Sequence, residues 1–137
     1  MVKELIHDPI FLAQKSDPAD ESDSRTARDL LDTINAHKGE CVGMAANMIG
    51  VKKRVIVFDD GGTFRIMFNP EIIGKSEPYK TEEGCLSLLG GPRPTTRFKK
   101  IKVRYLNEEF KPRIKTFTGF AAQIIQHETD HCDGILI

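Results

Sequence analysis

The stretch Gln126-His127-Glu128-Thr129-Asp130-His131 decides how this chain is read. It is an H-E-x-x-H pattern. On a helix, residues four apart share a face, so the imidazoles of His127 and His131 can meet at one metal ion. Glu128 is turned about 100° from His127 by helix geometry, which aims it at a metal-bound water rather than at the metal. Apolar spacing predicts this helix over Gly119 to Cys132, with Thr118 as N-cap and Gly134 as the stop. Phe120, Ile124, His127 and His131 recur at i, i+4, i+7 and i+11, a stripe expected to face the core. Two imidazoles there need partners, and a metal would be one. Ala121, Ala122 and Ile125 make the other face apolar too, so the helix is expected to be largely buried with strands around it.

A third ligand has to come from upstream, because only six residues follow His131 and Cys132 points about 100° away. The candidates are Cys41, Cys85 and His37. Cys85 lies in Glu82-Glu83-Gly84-Cys85-Leu86-Ser87, where Gly84 lets the backbone approach another element. Cys41 opens Cys41-Val42-Gly43-Met44-Ala45-Ala46-Asn47-Met48, a segment with little side-chain bulk that can press its backbone against a substrate or the metal helix. Residue chemistry alone favours Cys85 only mildly.

The rest of the chain reads as α+β. Ala27, Leu30, Leu31 and Ile34 predict a helix, with Ser24 as N-cap and Gly39 as the stop. Arg54 to Phe58 is an apolar strand ending at Asp59-Asp60-Gly61-Gly62, a strong turn signal, and Phe64 to Asn69 returns. Pro70 is expected to end that strand. Glu71 to Ser76 reads as another strand. Lys100 to Leu106 alternates polar and apolar, Asn107-Glu108-Glu109 turns, and Arg113 to Phe117 returns.

The 137 residues suit one domain, 1–137, large enough for a real core. Lys and Arg number 20, balanced by 20 Asp and Glu, so the chain lacks the cationic excess that nucleic-acid or anionic-membrane binding needs. No apolar run approaches the roughly 20 residues that span a bilayer. Charges and Pro9 within Met1 to Leu12 break any secretory signal. Three cysteines, an odd number, do not read as a disulfide framework and point to a reducing, cytoplasmic compartment.

Taken together, three segments resemble the peptide deformylase family. Its motifs G-x-G-x-A-A-x-Q, E-G-C-L-S and Q-H-E-x-D-H are matched in chain order by Cys41 to Met48, Glu83 to Ser87 and Gln126 to His131, the last two completely. The opening Ile6 to Leu12 looks like the family's N-terminal strand. The resemblance covers nearly the whole chain. It implies an α+β deformylase-like fold, with antiparallel or mixed strands around a central metal-binding terminal helix.

The resemblance also implies a role for each matched residue. Cys85, His127 and His131 would hold one divalent metal ion, Fe²⁺ by family habit, with Zn²⁺, Ni²⁺ or Co²⁺ as substitutes. Glu128 would be general base and then general acid. The Leu86 N–H would bind the oxyanion, and Gly43 would offer backbone to the peptide. Glu83 and Arg97 would pair behind the Cys85 loop. The implied reaction removes formate from N-formylmethionyl peptides or nascent-chain N-termini.

The departures from the family pattern matter as much. Met48 stands where the family has Gln, and it has no N–H to give the oxyanion. Losing one such donor costs about 100- to 1000-fold in turnover. Asn47, adjacent, has an amide that normally faces elsewhere. Cys41 replaces a Gly, Leu89 a common Pro and Cys132 a common Leu. The apolar end Ile135-Leu136-Ile137 has to be covered, by the chain itself in a monomer or by a partner copy in a homodimer. A hydrolase slowed by Met48 is therefore expected. The alternatives are a deformylase-like metal- or peptide-binding protein with little or no turnover and, less favoured, an H-E-x-x-H peptidase.

Overall fold

The computed structural model describes every residue except Leu86, and for Leu88, Leu89 and Gly90 it describes the backbone only. The expected Leu86 oxyanion donor and the Leu89 side chain therefore lie outside the described residues. The elements run α1 (Pro9–Leu12), a 3-10 turn (Glu21–Asp23), α2 (Ser24–Ala36), β1 (Gly43–Ala45) and a second 3-10 turn (Ala46–Ile49). After these come β2 (Val55–Asp60), β3 (Thr63–Cys85), β4 (Leu88–Leu106), β5 (Pro112–Thr118) and α3 (Gly119–Cys132). The strands form an antiparallel sheet in sequence order, β1-β2-β3-β4-β5.

Val55 to Phe58 of β2 are all buried, because that strand is covered on both faces. Strand alternation divides its side chains between two cores. Val55 and Val57 join Leu30 and Ile34 of α2, with Met44, Met48 and Phe68. Ile56 and Phe58 join Ala122, Ile124 and Ile125 of α3, with Met67, Ile101 and Val103. Phe58 meets Phe117 edge-on, ring centroids 5.7 Å apart. The sheet is thus sandwiched between α2 and α3.

From Ile124 to Cys132, α3 is buried apart from Asp130. Its polar side chains find partners in place of water. Gln126 mimics a strand neighbour: its Nε2 donates to Phe98 O at 2.8 Å and its Oε1 accepts from Phe98 N at 2.9 Å. Arg54 closes the far end, donating to Cys132 O at 3.0 Å and to Asp133 Oδ1 at 2.8 Å, a cation at a helix C-terminus. Gly134 follows at φ 75°, and a Cβ there would lie 2.4 Å from Ala13 O. Phe120, expected in the core, is instead 58% exposed. It sits in the first turn, ahead of the stretch that the sheet covers.

Four local expectations are corrected. Ile6 to Leu12 contains no strand: Asp8 caps a short helix by accepting from Ile10 N at 3.0 Å, and Pro9 enters it with its φ already helical. The N-cap of α2 is Asp23 rather than Ser24, because a 3-10 turn capped by Asp20 runs directly into the helix. Thr118 is the N-cap of α3 by position, but its side chain makes no capping bond. Pro70 does not end its strand. The pairing of β3 with β4 shifts register between Phe68 and Glu71, and Asn69 takes φ 51° there. A bulge tolerates a residue with no N–H to donate. Asn69 also anchors the bulge, exchanging 2.7 and 2.9 Å bonds with the Ala19 backbone.

Candidate metal centre and active site

Three elements bring the site together. β3 ends at Cys85, and strand alternation puts Glu83 on the same face, toward α3. α3 supplies His127, Glu128 and His131, all less than a tenth exposed. β1 passes against α3 at Gly43. A Cβ there would lie 2.4 Å from Ile124 Cγ2 and 2.8 Å from Glu128 Oε2, so this approach requires glycine.

Cys85, His127 and His131 each offer a ligand atom, and these atoms lie within 4.8 Å of one another. Small side-chain adjustments would gather them on one ion. The donor chemistry fits a catalytic metal: one thiolate and two imidazoles leave a fourth position for water or substrate. Neither Cys41 nor His37 joins the cluster. The Cys41 thiol is turned to Gly43 O at 2.8 Å, and burial together with the Glu128 charge pushes it up to about 12. His37 pairs with Glu40 at 3.2 Å.

Behind these three side chains lies a connected charge network. Glu83 Oε1 is 2.8 Å from His127 Nδ1 and accepts from Arg97 Nη2 at 2.7 Å and Nε at 3.0 Å. Its Oε2 accepts from Gln123 Nε2 at 2.8 Å. Arg97 reaches on to Asp130 at 2.6 Å. Burial works to raise the Glu83 pKa, but bonds from His127, Arg97 and Gln123 outweigh it and hold the carboxyl down at about 2. A carboxylate on the outer nitrogen of a ligating histidine fixes its orientation and raises its basicity.

The three candidate ligands respond to the same surroundings. Burial opposes charge on Cys85, yet hydrogen bonds from His127 and His131 bring the thiol down to about 7. Burial opposes charge on His127 as well, but the Glu128 charge and bonds to Cys85 and Glu83 carry it up to about 9. Glu128 Oε1 lies 3.2 Å from His131 Nδ1, near enough for ion pairing but not aligned for a hydrogen bond. His131 Nε2 lies 3.1 Å from Ile137 O.

Met48 and Asn47 occupy the opposite side. Met48 is 1% exposed, with its sulfur against Cys85. Asn47 turns its amide away, donating to His131 O at 3.0 Å, so it does not stand in for the missing glutamine. A cleft of about 230 Å³ opens beside His127 and Glu128, walled by Val42, Gly43, Ile124 and Phe120. The exposed Phe120 is its lip.

Sequence spacing missed Gln123, Asp130 and the backbone roles of Asn47 and Gln126. Gln123 and Asp130 are seven apart on α3, two helical turns, and both reach the Glu83–Arg97 pair. Nothing local ties them to residue 97.

Fold and donor set together define a metal-dependent hydrolase. A sequence model described as polypeptide deformylase matches residues 4–137. The chain belongs to the polypeptide deformylase family. It is 50% identical to a peptide deformylase of Clostridium beijerinckii over 137 residues, covering 100% of both chains. It is 41% identical to one of Pseudothermotoga lettingae, over 99% of this chain and 81% of that one. The peptide deformylase structure from Thermotoga maritima superposes with a TM-score of 0.89 at 32% identity, covering 99% of this chain and 95% of the other. A class I type b peptide deformylase from Acinetobacter baumannii gives 0.89 at 30% identity, covering 99% and 97%.

Proposed function

We propose that residues 1–137 work as one catalytic unit that hydrolyses the N-formyl group of N-formylmethionyl peptides, with Cys85, His127 and His131 as the ligands of one divalent metal. The convergence of those three side chains beside a buried Glu128 is the observation that carries this reading. Fe²⁺ is the expected ion from the family. The donor set suits Zn²⁺ equally well, and Ni²⁺ is a further candidate.

A bound metal would supply Lewis acidity to the formyl carbonyl and to water. The chain's residues do the rest. Glu128 removes a proton from the attacking water, and its carboxyl later delivers one to the leaving amine as the C–N bond breaks and formate departs. The substrate's methionine side chain fits the cleft walled by Val42, Ile124 and Phe120. β1 is the sheet's outer strand, with β2 on its inner side, so a peptide can pair with Gly43 along the other edge. The Leu86 N–H is the oxyanion donor that the family pattern implies. Met48 has no N–H to add, and the Asn47 amide is committed to His131 O.

The test is formate release from a short N-formylmethionyl peptide by anaerobically prepared Fe²⁺ protein. Glu128→Ala should lower turnover about 100- to 10,000-fold with metal content unchanged. Undiminished turnover would remove Glu128 from the chemistry, and lost metal would make it a ligand instead. Met48→Gln should raise turnover, by up to about 100-fold if the donor it restores is the main defect.

A further inference from the structure

Met48 is more than a missing donor. We propose that its thioether is a fourth protein donor to the metal, weak and displaceable, so that the site is Cys/His₂/Met rather than Cys/His₂. This rests on the metal assignment of Cys85, His127 and His131 above.

Distance comes first. Met48 Sδ lies 4.0 Å from Cys85 Sγ. A thiolate sulfur about 2.3 Å from a tetrahedral ion and a thioether sulfur somewhat farther out lie about 4 Å apart by trigonometry, so the pair already stands at the spacing that shared coordination needs. Position comes next. Met48, Cys85 and His131 line the same small cavity, about 10 Å³, roughly the space of one water-sized probe. Restraint is the third observation. The sulfur accepts from Ala45 N at 3.4 Å, as a side chain at the third position of a turn reaches back to its cap. Ile6 N donates to Met48 O at 2.8 Å and fixes the backbone. A thioether has two lone pairs, so the Ala45 N–H leaves one for a metal.

The consequence is chemical. A thioether is neutral and soft. It leaves the charge of the site unchanged and favours ions that accept sulfur over hard, oxygen-seeking ones. A Cys/His₂ set with a long thioether bond is also a donor set that copper accepts. Because the thioether bond is weak, it yields to a better ligand, and the hydrolytic position is not sealed.

Selenomethionine-labelled protein loaded with Zn²⁺ tests this through selenium-edge X-ray absorption. The chain has four methionines: Met1 is 64% exposed, and Met44 and Met67 belong to the two cores. A zinc scattering shell around selenium is expected in the wild type and should vanish in Met48→Leu. Chelator competition should show Zn²⁺ held about tenfold more weakly by Met48→Leu, the low end of what supporting groups contribute to metal affinity. The visible bands of the Co²⁺ form should change between the two proteins. Zinc bound without a shell at selenium would overturn the proposal, as would Co²⁺ spectra identical in wild type and Met48→Leu. Zinc uptake that survives His127→Ala, or fails in the wild type, would instead overturn the three-ligand assignment, and the Met48 donor with it.

Discussion

Cys85 has two unlike neighbourhoods. On the Glu83 side, every charged group is paired. Glu83 takes bonds from Arg97 and Gln123 and sits against His127, and Arg97 continues to Asp130. On the Met48 side, the polar atoms are under-partnered. Asn47 Oδ1 and Ser87 Oγ are buried with no hydrogen-bond partner among the described residues, and they share a small cavity with Met48. The first neighbourhood orients His127 and borders the cleft of about 230 Å³, while the second encloses a cavity of only about 10 Å³.

The largest break in this contrast should come from Arg97→Ala. It leaves the Glu83 carboxylate buried with His127 and Gln123 as its remaining hydrogen-bond partners. Removing one partner of a buried ion pair costs about 3–5 kcal/mol, measurable as a lower urea midpoint. Metal affinity should fall too, because His127 loses its brace. Arg97→Lys should recover only part of this, since an ammonium cannot reproduce the fork of bonds to Glu83 and Asp130. An unchanged midpoint in Arg97→Ala would mean that the network is decorative.

Acid should sharpen the same contrast. The Glu83 pKa is lowered in the fold, to about 2 from an ordinary 4.5. Its contribution is therefore fully present above pH 4.5 and is lost as the pH falls toward 2. The difference corresponds to about 3 kcal/mol at most. Glu83→Gln should flatten that acid limb in a series of urea melts between those pH values. A mutant curve parallel to the wild type across that window would show that Glu83 titrates normally.

Gly43→Ala should do less to stability but reach the chemistry. The new Cβ would lie 2.4 Å from Ile124 Cγ2 and 2.8 Å from Glu128 Oε2. Overpacking of this kind costs about 1–3 kcal/mol. Turnover should drop with metal content unchanged, because the group displaced is Glu128, the proposed base, and not one of the proposed ligands. Full activity in Gly43→Ala would show that β1 and α3 can part freely.

What was legible in the sequence follows the same division. The α3 histidine pair was readable because helix geometry converts i, i+4 spacing into a shared face without any other part of the chain. The β2–β3 hairpin was readable because Asp59-Asp60-Gly61-Gly62 is turn chemistry. The local sequence favoured Cys85 over Cys41 only mildly, and the family resemblance chose it. Glu71 to Ser76 was read as a strand, but its continuity with Phe64 to Asn69 and its run on to Cys85 were hidden, because proline breaks the strand pattern and a register shift at Asn69 cannot be seen in one strand alone. Arg97 pairs with Glu83 across two long strands, and its link to Asp130 runs to another element. Such contacts depend on tertiary placement, not on local period. Phe120 fits the helical stripe, yet it lies beyond the edge of what the sheet covers.

The smallest effect should come from Ser87→Ala, and it tests the under-partnered side directly. The Ser87 hydroxyl is 1% exposed and without a hydrogen-bond partner among the described residues. An unpaired buried hydroxyl carries its desolvation cost without compensation, so deleting it should be neutral or slightly stabilising, within about 0.5 kcal/mol. The cavity that Ser87 shares with Asn47, Met48 and His131 is about 10 Å³, close to the least space that holds one water. A water bonded to Ser87 Oγ and Asn47 Oδ1 would reverse the sign. Losing its anchor would then destabilise the protein by about 1 kcal/mol or more, and Asn47→Ala would show a similar loss that does not add in the double mutant. A neutral Ser87→Ala leaves this flank of Cys85 dry and its polar atoms unpaired, ready for an incoming ligand. A costly one makes it a hydrated site, and the distinction from the Glu83 flank narrows to charge alone.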